Sequence, residues 1–404
     1  MPMRILTVTN LYPRPDQPQR GLFNAQQFRA MAEESGVSNV CLVPEWRPWR
    51  WKAIRQWQDP FPSGVRTRYL PVIHVPVAGR NLSWRFQRAA LRTERDWIED
   101  CDAVLAAWLY PDGAAAVAAA APRGKPVWLR VHGTDRLHLR HPRRGRVARS
   151  ACARAAGILV NCEYLADQLV VLGLSRASIH VVPNGVDTEL FRYRPRAEAW
   201  REIGRLWGGL AAGAQLPGPE GKLVLFAGNL LPVKGPDVLL RAWAQVPRRE
   251  PQARLVLIGE GPMRNRLRAL CRRLGVERSV VLLGSRPHAE IPLWMNAADC
   301  LCLPSRSEGL PNVVLEALAS GLPVAAADAG GVREVLGDEP DARVVEREAP
   351  AALALALCEL LARTADRAGM ARRHGKRWSW RQAALATLGL MGGGEGALPR
   401  SKPA

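Results

Sequence analysis

Glu308 and Glu316 are the residues best placed to do chemistry, eight positions apart in Ser305-Arg-Ser-Glu-Gly-Leu-Pro-Asn-Val-Val-Leu-Glu316. The stretch follows an apolar run, Cys300 to Leu303, that reads as a buried strand. It then opens a helix with Pro311 near the first helical position, where a missing N–H costs nothing. The first carboxylate falls in the strand-to-helix loop and the second about one turn into the helix. Both can line one crevice at the carboxyl end of a parallel sheet, where open α/β sheets bind ligands. Free N–H groups and the helix dipole favour an anion such as a phosphate there. Gly309, Leu310 and Asn312 offer such groups, and Pro311 offers none. Carboxylates are poor partners for phosphate but good acceptors for sugar and ribose hydroxyls. The combination points to a nucleotide-sugar. Val313, Val314, Leu315, Ala317 and Leu318 surround Glu316, and a carboxylate amid so much apolar sequence needs a partner.

Lys234 has a comparable setting. It lies in the loop after the apolar run Leu223–Ala227, in the frame Gly228 to Lys234-Gly235, just before a helix beginning near Pro236. A lysine here can meet a diphosphate as a point charge and help most as charge develops on the departing group. Gly259-Glu260-Gly261 closes the next strand, and its glycines admit a flat base against backbone. In the first half, Gly21 follows the first strand beside Arg20, where backbone can approach a ligand closely. His132 follows Val127–Val131 at the carboxyl end of a strand. Asp135 is either a site residue or a helix cap.

These segments resemble, in order, those of retaining glycosyltransferases of family 4, which have the two-domain GT-B fold. The Glu308 and Glu316 stretch resembles the family's Glu-x7-Glu motif. Arg4 to Pro13 with Arg20-Gly21 is similar to its amino-terminal strand and glycine loop, and Val131-His-Gly-Thr-Asp135 to its His-Gly-x-Asp segment. Val181 to Asp187 resembles the entry to the second domain, Phe226 to Gly235 the donor-phosphate loop, and Leu257 to Pro262 the loop near the base. The resemblance covers roughly 300 residues. It implies that Glu316 accepts from ribose hydroxyls, that Glu308 and His132 meet the donor sugar, and that Lys234 and Gly21 face the diphosphate. It sets Arg286, with Pro287 and His288, near the base. Many members carry an arginine five residues before the lysine; this chain has Asn229, and Arg306 or Arg286 could supply the missing charge. The implied reaction retains the anomeric configuration by front-face substitution and uses no cofactor. The chain is read as lacking an Asp-x-Asp metal motif, so activity without a divalent cation is expected. The donor is a nucleoside-diphosphate sugar and the acceptor a glycan or lipid-linked hydroxyl.

The elements needed to hold these residues can be read along the chain. At 404 residues and 48% hydrophobic, it suits two domains. Strand-like runs at Ile5–Thr9, Val40–Val43, Ala103–Ala107, Val127–Val131, Ile158–Asn161 and Ile179–Val182 alternate with helical stretches. A second series runs through Leu223–Ala227, Leu255–Ile258, Val280–Leu282, Cys300–Leu303 and Pro323–Ala326. Such alternation argues α/β architecture with parallel, doubly wound sheets. The expected organisation is an acceptor-side Rossmann-like domain over 1–187, a linker and surface loop over 188–220, and a donor-binding Rossmann-like domain over 221–370. A helix over 371–390 then crosses back to the first domain across the shared cleft, and 391–404 is a disordered tail.

No apolar run of about 18 residues occurs, and the amino terminus enters a strand without a signal-like segment, so a cytoplasmic protein is expected. Eight cysteines without a Cys-x-x-Cys pair argue against a zinc site or disulfide frame. The net charge of +20, with a pI near 10.7, comes almost wholly from arginine. It reflects either composition bias or an anionic partner. No recognition motif for nucleic acid is present, and none is expected as a partner. Residues 46–57 interleave four tryptophans with four cations, and residues 136–149 hold six arginines. Either these pack and solvate as ordinary surface, or they form a peripheral contact with anionic membrane. The alternative to an enzyme is a catalytically weak relative that binds nucleotide or polyanion as a partner protein.

Overall fold

A computed structural model describes residues 2–61, 64–75, 77–207 and 216–393. The chain divides into two compact units, one of Met1–Gly185 with Trp380–Ala404 and one of Val186–Ser379.

Unit 1 is built on seven strands: β1 (Arg4–Thr9), β2 (Gly36–Pro44), β3 (Arg66–Val72), β4 (Ala103–Ala106), β5 (Val127–Val131), β6 (Gly157–Val160) and β7 (Ile179–Val181). All pair in parallel, in the order β3-β2-β1-β4-β5-β6-β7. The strands are near-continuous apolar runs because helices cover both faces, so β4, β5 and β6 are buried throughout. The strand order reverses between β1 and β4, which opens a crevice at their carboxyl ends. β3 was not legible in the sequence. Arg66, Arg68 and Pro71 interrupt its apolar pattern, and an edge strand tolerates all three. Arg68 lies over the Trp97 ring at 4.1 Å and pairs with Glu94 at 2.5 Å.

Unit 2 holds β8 (Leu223–Ala227), β9 (Arg254–Ile258), β10 (Val280–Gly284), β11 (Cys300–Leu303), β12 (Val324–Ala327) and β13 (Ala342–Val345). Its parallel order is β10-β9-β8-β11-β12-β13, with the reversal between β8 and β11. β13 also escapes sequence reading, being a short, half-buried edge strand.

The stretch expected to be linker contains a helix, Arg196–Trp207, that belongs to unit 2. Ala199, Trp200 and Ile203 are buried, at the three- and four-residue spacing of one helix face, and the helix packs on Ile291–Ala297. Arg196 is anchored by Asp299 and by the Gly221 carbonyl. The glycines at 208, 209 and 213 lie outside the described residues. The last helix, Trp380–Met391, returns to unit 1 and packs on Leu22–Ala32. Trp380 Nε1 donates to Gln26 Oε1 at 3.2 Å, and Arg381 pairs with Glu34 at 2.9 Å. The tail expectation falls on residues 394–404, outside the described ones. Among the described residues no helix is long and apolar enough to cross a membrane.

Candidate functional site

The carboxyl ends of β8, β9 and β11 bring together most of the residues singled out in the second half. Each loop is shaped by a close backbone approach. Gly235 adopts φ 63° and caps the helix Pro236–Trp243, and a Cβ there would stand 2.1 Å from the Pro304 carbonyl oxygen. Gly259 adopts φ 142°, and a Cβ there would meet the Gly228 carbonyl oxygen at 1.9 Å. Only glycine fits either place. Gly228 N donates to Ile258 O at 2.9 Å and Leu230 N to Glu260 O at 2.8 Å, which ties the loop after β8 to the loop after β9. Asn229 lies exposed between these two bonds.

Lys234 ends a short turn, Pro232–Lys234, and its ammonium donates to both oxygens of Glu308, at 2.8 and 2.9 Å. Ser305 Oγ donates to Glu308 Oε1 at 2.6 Å. The carboxylate is 8% exposed and the lysine 30%, so the pair is buried on one side and open on the other. The sequence reading gave these residues separate partners, phosphate and sugar; the fold joins them to each other. Behind them Gly331 N donates to Gly309 O at 2.7 Å. Leu310 is buried, and Pro311 stands as the cap of the helix Asn312–Ala319, one residue earlier than expected.

Glu316, in that helix, is 18% exposed and meets His288 Nε2 at 3.1 Å. Burial works against a charged His288, yet the Glu316 hydrogen bond, its charge and that of Asp187 together raise the ring above its usual range. The Phe191 ring stands edge-on to it at 5.1 Å. His288 was visible only as part of Arg286-Pro287-His288; its pairing with Glu316 spans 28 positions that no local pattern reports. Arg286 donates to the Leu283 carbonyl at 2.8 Å, beside Gly284.

Arg306, named with Arg286 as a source of the missing charge, is held by carboxylates of its own unit. It forks onto Asp237 at 2.9 and 3.0 Å and also meets Glu348, and these bonds raise it further above the usual range.

Unit 1 carries the remaining residues. Gly21, at φ 65°, caps the helix Leu22–Ala32 with its Cβ position 2.4 Å from Leu11 O, and Asn24 Nδ2 donates to the same carbonyl at 2.7 Å. Two residues on, Phe23 stands edge-on to His132 at 5.5 Å, and Trp108 stacks on the imidazole at 4.2 Å. His132 is buried; burial, then the Arg130 charge, lower it to about 3, so the ring is neutral. Its Nε2 has no hydrogen-bond partner among the described residues. Asp135 is buried in the first turn of Asp135–Arg140 and accepts from His132 N at 2.9 Å, which fixes the His132 backbone. Burial pushes Asp135 up to about 7 and does the same to Asp112. Asp112 accepts from Asn10 N at 2.7 Å and Gln87 Nε2 at 2.9 Å.

The expectation that the chain lacks an Asp-x-Asp triplet is corrected by Asp100-Cys101-Asp102. It precedes β4 at the amino edge of the sheet, where Asp102 accepts from Arg4 N at 2.7 Å, on the side away from the ligand crevice. Among the described residues no cluster of three metal-ligating side chains occurs.

Comparison with known proteins adds lineage to this geometry. Residues 214–377 match the family model described as glycosyl transferases group 1, and residues 53–190 match that of glycosyltransferase family 4. A D-inositol 3-phosphate glycosyltransferase of Segniliparus rotundus is 36% identical over 219 residues, which cover 52% of this chain and 46% of that protein. The chain thus spans about half the length of such relatives. The putative teichuronic acid biosynthesis glycosyltransferase TuaC of Bacillus subtilis is 27% identical over 83% of both chains. Among solved structures, Anabaena HepE in complex with UDP superposes with a TM-score of 0.74 at 19% identity, covering 97% of this chain and all 100% of that one. Sucrose-phosphate synthase of Thermosynechococcus elongatus gives 0.73 at 18%, over 95% of this chain and 97% of its own. These neighbours share the GT-B fold.

Proposed function

The chain belongs to glycosyltransferase family 4, and from that premise we propose that it moves a hexose from a nucleoside-diphosphate sugar to a hydroxyl of a glycan or lipid-linked acceptor. Transfer retains the anomeric configuration and uses neither metal ion nor cofactor. The observation that carries this reading is the meeting of Lys234 with Glu308, and of Glu316 with His288, at the switch point between β8 and β11. In this reading the donor diphosphate draws Lys234 away from Glu308 as charge builds on the leaving oxygen, and Glu308 turns to the sugar hydroxyls. An interaction that strengthens along the reaction is the kind that accelerates it. Glu316 accepts from the ribose. His132, neutral and with a buried nitrogen to offer, contributes a hydrogen bond and no charge. The leaving phosphate takes the acceptor's proton. A cytoplasmic enzyme that touches an anionic membrane face through 46–57 and 136–149 fits the acceptor class.

A thermal-shift series with UDP, GDP, ADP, dTDP and CDP, followed by their sugar conjugates, tests the donor. UDP comes first because the HepE structure holds it. One nucleotide should raise the melting temperature, with a shift that grows as the logarithm of its concentration above the dissociation constant. Lys234→Ala and Glu316→Ala should each lower turnover of the matching conjugate by about 100-fold or more while the protein stays folded. Near-normal turnover in either variant sinks the assignment.

A second reading is a partner protein that binds nucleotide or polyanion without turnover. Asn229 and the engaged Arg306 favour it, because both leave the phosphate loop poorer in cations than the family pattern. A nucleotide shift without hydrolysis or transfer of any conjugate would select it.

A further inference from the structure

Within unit 2 the His288 ring meets the Glu316 carboxylate and the Phe191 ring, and it feels the charge of Asp187. Glu316 comes from the helix Asn312–Ala319. Asp187 and Phe191 come from one turn, which Asp187 caps by accepting from Glu189 N and Leu190 N at 3.1 Å. Phe191 N closes the turn on Asp187 O at 2.8 Å. His288 itself precedes the helix Ile291–Ala297. The three stretches meet again at the far end of that helix, through two polar side chains that stand outside the site.

Asn296 is fully buried in an otherwise apolar helix. A buried amide costs free energy unless its bonds are made. Its Oδ1 accepts from Arg194 N at 2.8 Å, and its Nδ2 donates to Arg192 O at 3.0 Å and to Pro292 O at 2.9 Å. Two of these bonds leave the helix for the backbone just after Phe191. Arg367 opens the helix Arg367–Arg377. Its Nη2 donates to Met295 O, its Nη1 to Ala298 O and its Nε to Gly321 O, each at 2.9 Å. Met295 and Ala298 end the helix Ile291–Ala297, and Gly321 follows Asn312–Ala319. One guanidinium therefore closes the carboxyl ends of both helices, where orphan carbonyls and the negative dipole favour a cation. Loss of water lowers Arg367 to about 10, which leaves it charged. The backbone closes the same joint. A Cβ on Gly321 would stand 2.1 Å from Arg367 O, and Ser320 Oγ meets Met295 Sδ at 3.8 Å.

We propose that Arg367 and Asn296 are positioning residues for the donor ribose: they lock the helix Ile291–Ala297 to the two stretches that meet His288, and so hold the His288–Glu316 pair in contact. The proposal rests on Glu316 serving the ribose and adds the residues that aim it. Hydrogen-bonded helical turns move as one piece, so the end that Arg367 grips sets where the other end lies. Stability alone would ask only for apolar packing at position 296, since exchanging a bonded polar pair for apolar groups of the same shape is nearly neutral. The amide instead reaches the backbone that carries Phe191.

An NMR titration of the His288 ring in the full chain tests this. Asn296→Ala frees the stretch that carries Asp187 and Phe191, and Arg367→Met frees the helix that carries Glu316. Each should lower the His288 midpoint from its wild-type value, because Glu316 and Asp187 are the groups that raise it. Asn296→Ser and Arg367→Lys keep part of the bonding and should show smaller drops; they decide the matter where a harsher variant does not fold. Leu357→Ala, in the core helix Pro350–Ala362, should cost stability and leave the midpoint in place, which separates aiming from stability. UDP titrated calorimetrically should bind about tenfold more weakly to Asn296→Ala and to Arg367→Met. A wild-type midpoint in the folded variants, or an equal drop in Leu357→Ala, overturns the proposal. So does wild-type UDP affinity beside a lowered midpoint, because the pair would then be aimed at nothing the donor touches. A midpoint that drops in a protein to which no nucleoside diphosphate binds leaves the positioning standing and sinks the donor reading alone.

Discussion

His288 and Glu316 are the pair in which a single side chain's state reports on the whole donor reading. Burial alone would lower the imidazole, and the carboxylate reverses that. The ring therefore holds its proton to higher pH than a free histidine. Replacing Glu316 by Gln removes the charge, keeps a neutral hydrogen-bond acceptor and leaves the burial. We expect His288 to titrate above the usual histidine range in the wild type, and to fall below it in Glu316→Gln, in an NMR titration of the ring protons. An unchanged midpoint would mean that the two side chains do not face each other in solution. Glu316, Glu308 and Lys234 were legible because strand, loop and helix lie together within a dozen residues, so sequence spacing is nearly a distance. His288 was not, because the turn after β10 and the helix after β11 meet only in the fold. The same holds for Lys234 and Glu308: each was found, but their 2.8 Å bond spans 74 positions.

Elements show a similar division. Buried parallel strands announce themselves as apolar runs, and all eleven that were expected are present in two parallel sheets. The two missed, β3 and β13, are edge strands, where one side faces water and the apolar signature thins. The Arg196–Trp207 helix was hidden because its buried face is three residues wide in a stretch otherwise rich in arginine. The basic segments also change meaning once folded. Arg47 and Arg50 both pair with Glu45, at 2.8 and 3.0 Å, so they add little to the field around 46–57. Trp46 and Trp49 remain 62% and 72% exposed, and Leu137 64%. In the helix Pro142–Arg154, Arg143 and Arg146 are exposed and pair with no carboxylate among the described residues. A membrane contact would therefore draw its charge from that helix, at about 1 kcal/mol per cation near the surface. We expect the protein to float with anionic vesicles at low salt and to be released at high salt. Arg143→Glu with Arg146→Glu should prevent flotation, and a double Arg47→Glu, Arg50→Glu variant should affect it less. No flotation at low salt removes the membrane reading.

At the scale of the whole molecule, the buried titratable groups of unit 1 set how folding responds to pH. Asp112 and Asp135 are both pushed up to about 7 by burial, against 3.8 for the ordinary carboxyl. Between roughly pH 4 and 7 the folded chain keeps protons that the unfolded chain has lost. Their stabilising contribution is thus full at low pH and disappears as pH rises through about 7. The Asp112 charge adds only a minor contribution to the rise of Asp135. His132 and His138 have the opposite sign. Lowered to about 3 and 4 by burial, they stay neutral when the unfolded chain takes up protons below about 6.5. Their contribution is present above that pH and is lost as pH falls towards their own values. From pH 4 to 6.5 the two pairs largely cancel; above 6.5 only the carboxylates still change. Wild-type stability alone would hide this, and a difference between variants exposes it. Subtracting the unfolding free energy of Asp112→Asn from that of the wild type isolates one member of the pair. That difference should shrink as pH rises from 5 to 8, with a limiting slope of about 1.4 kcal/mol per pH unit below pH 7. His132→Gln should give a difference that shrinks in the other direction, as pH falls below about 6.5. Urea unfolding of the full chain at unit steps of pH measures both. A flat difference for Asp112→Asn would mean that the carboxylate is charged in the folded protein. The loop Asn10 and Gln87 hold around it would then be an anion's cage, and Arg20 would be its counter-charge across the same crevice.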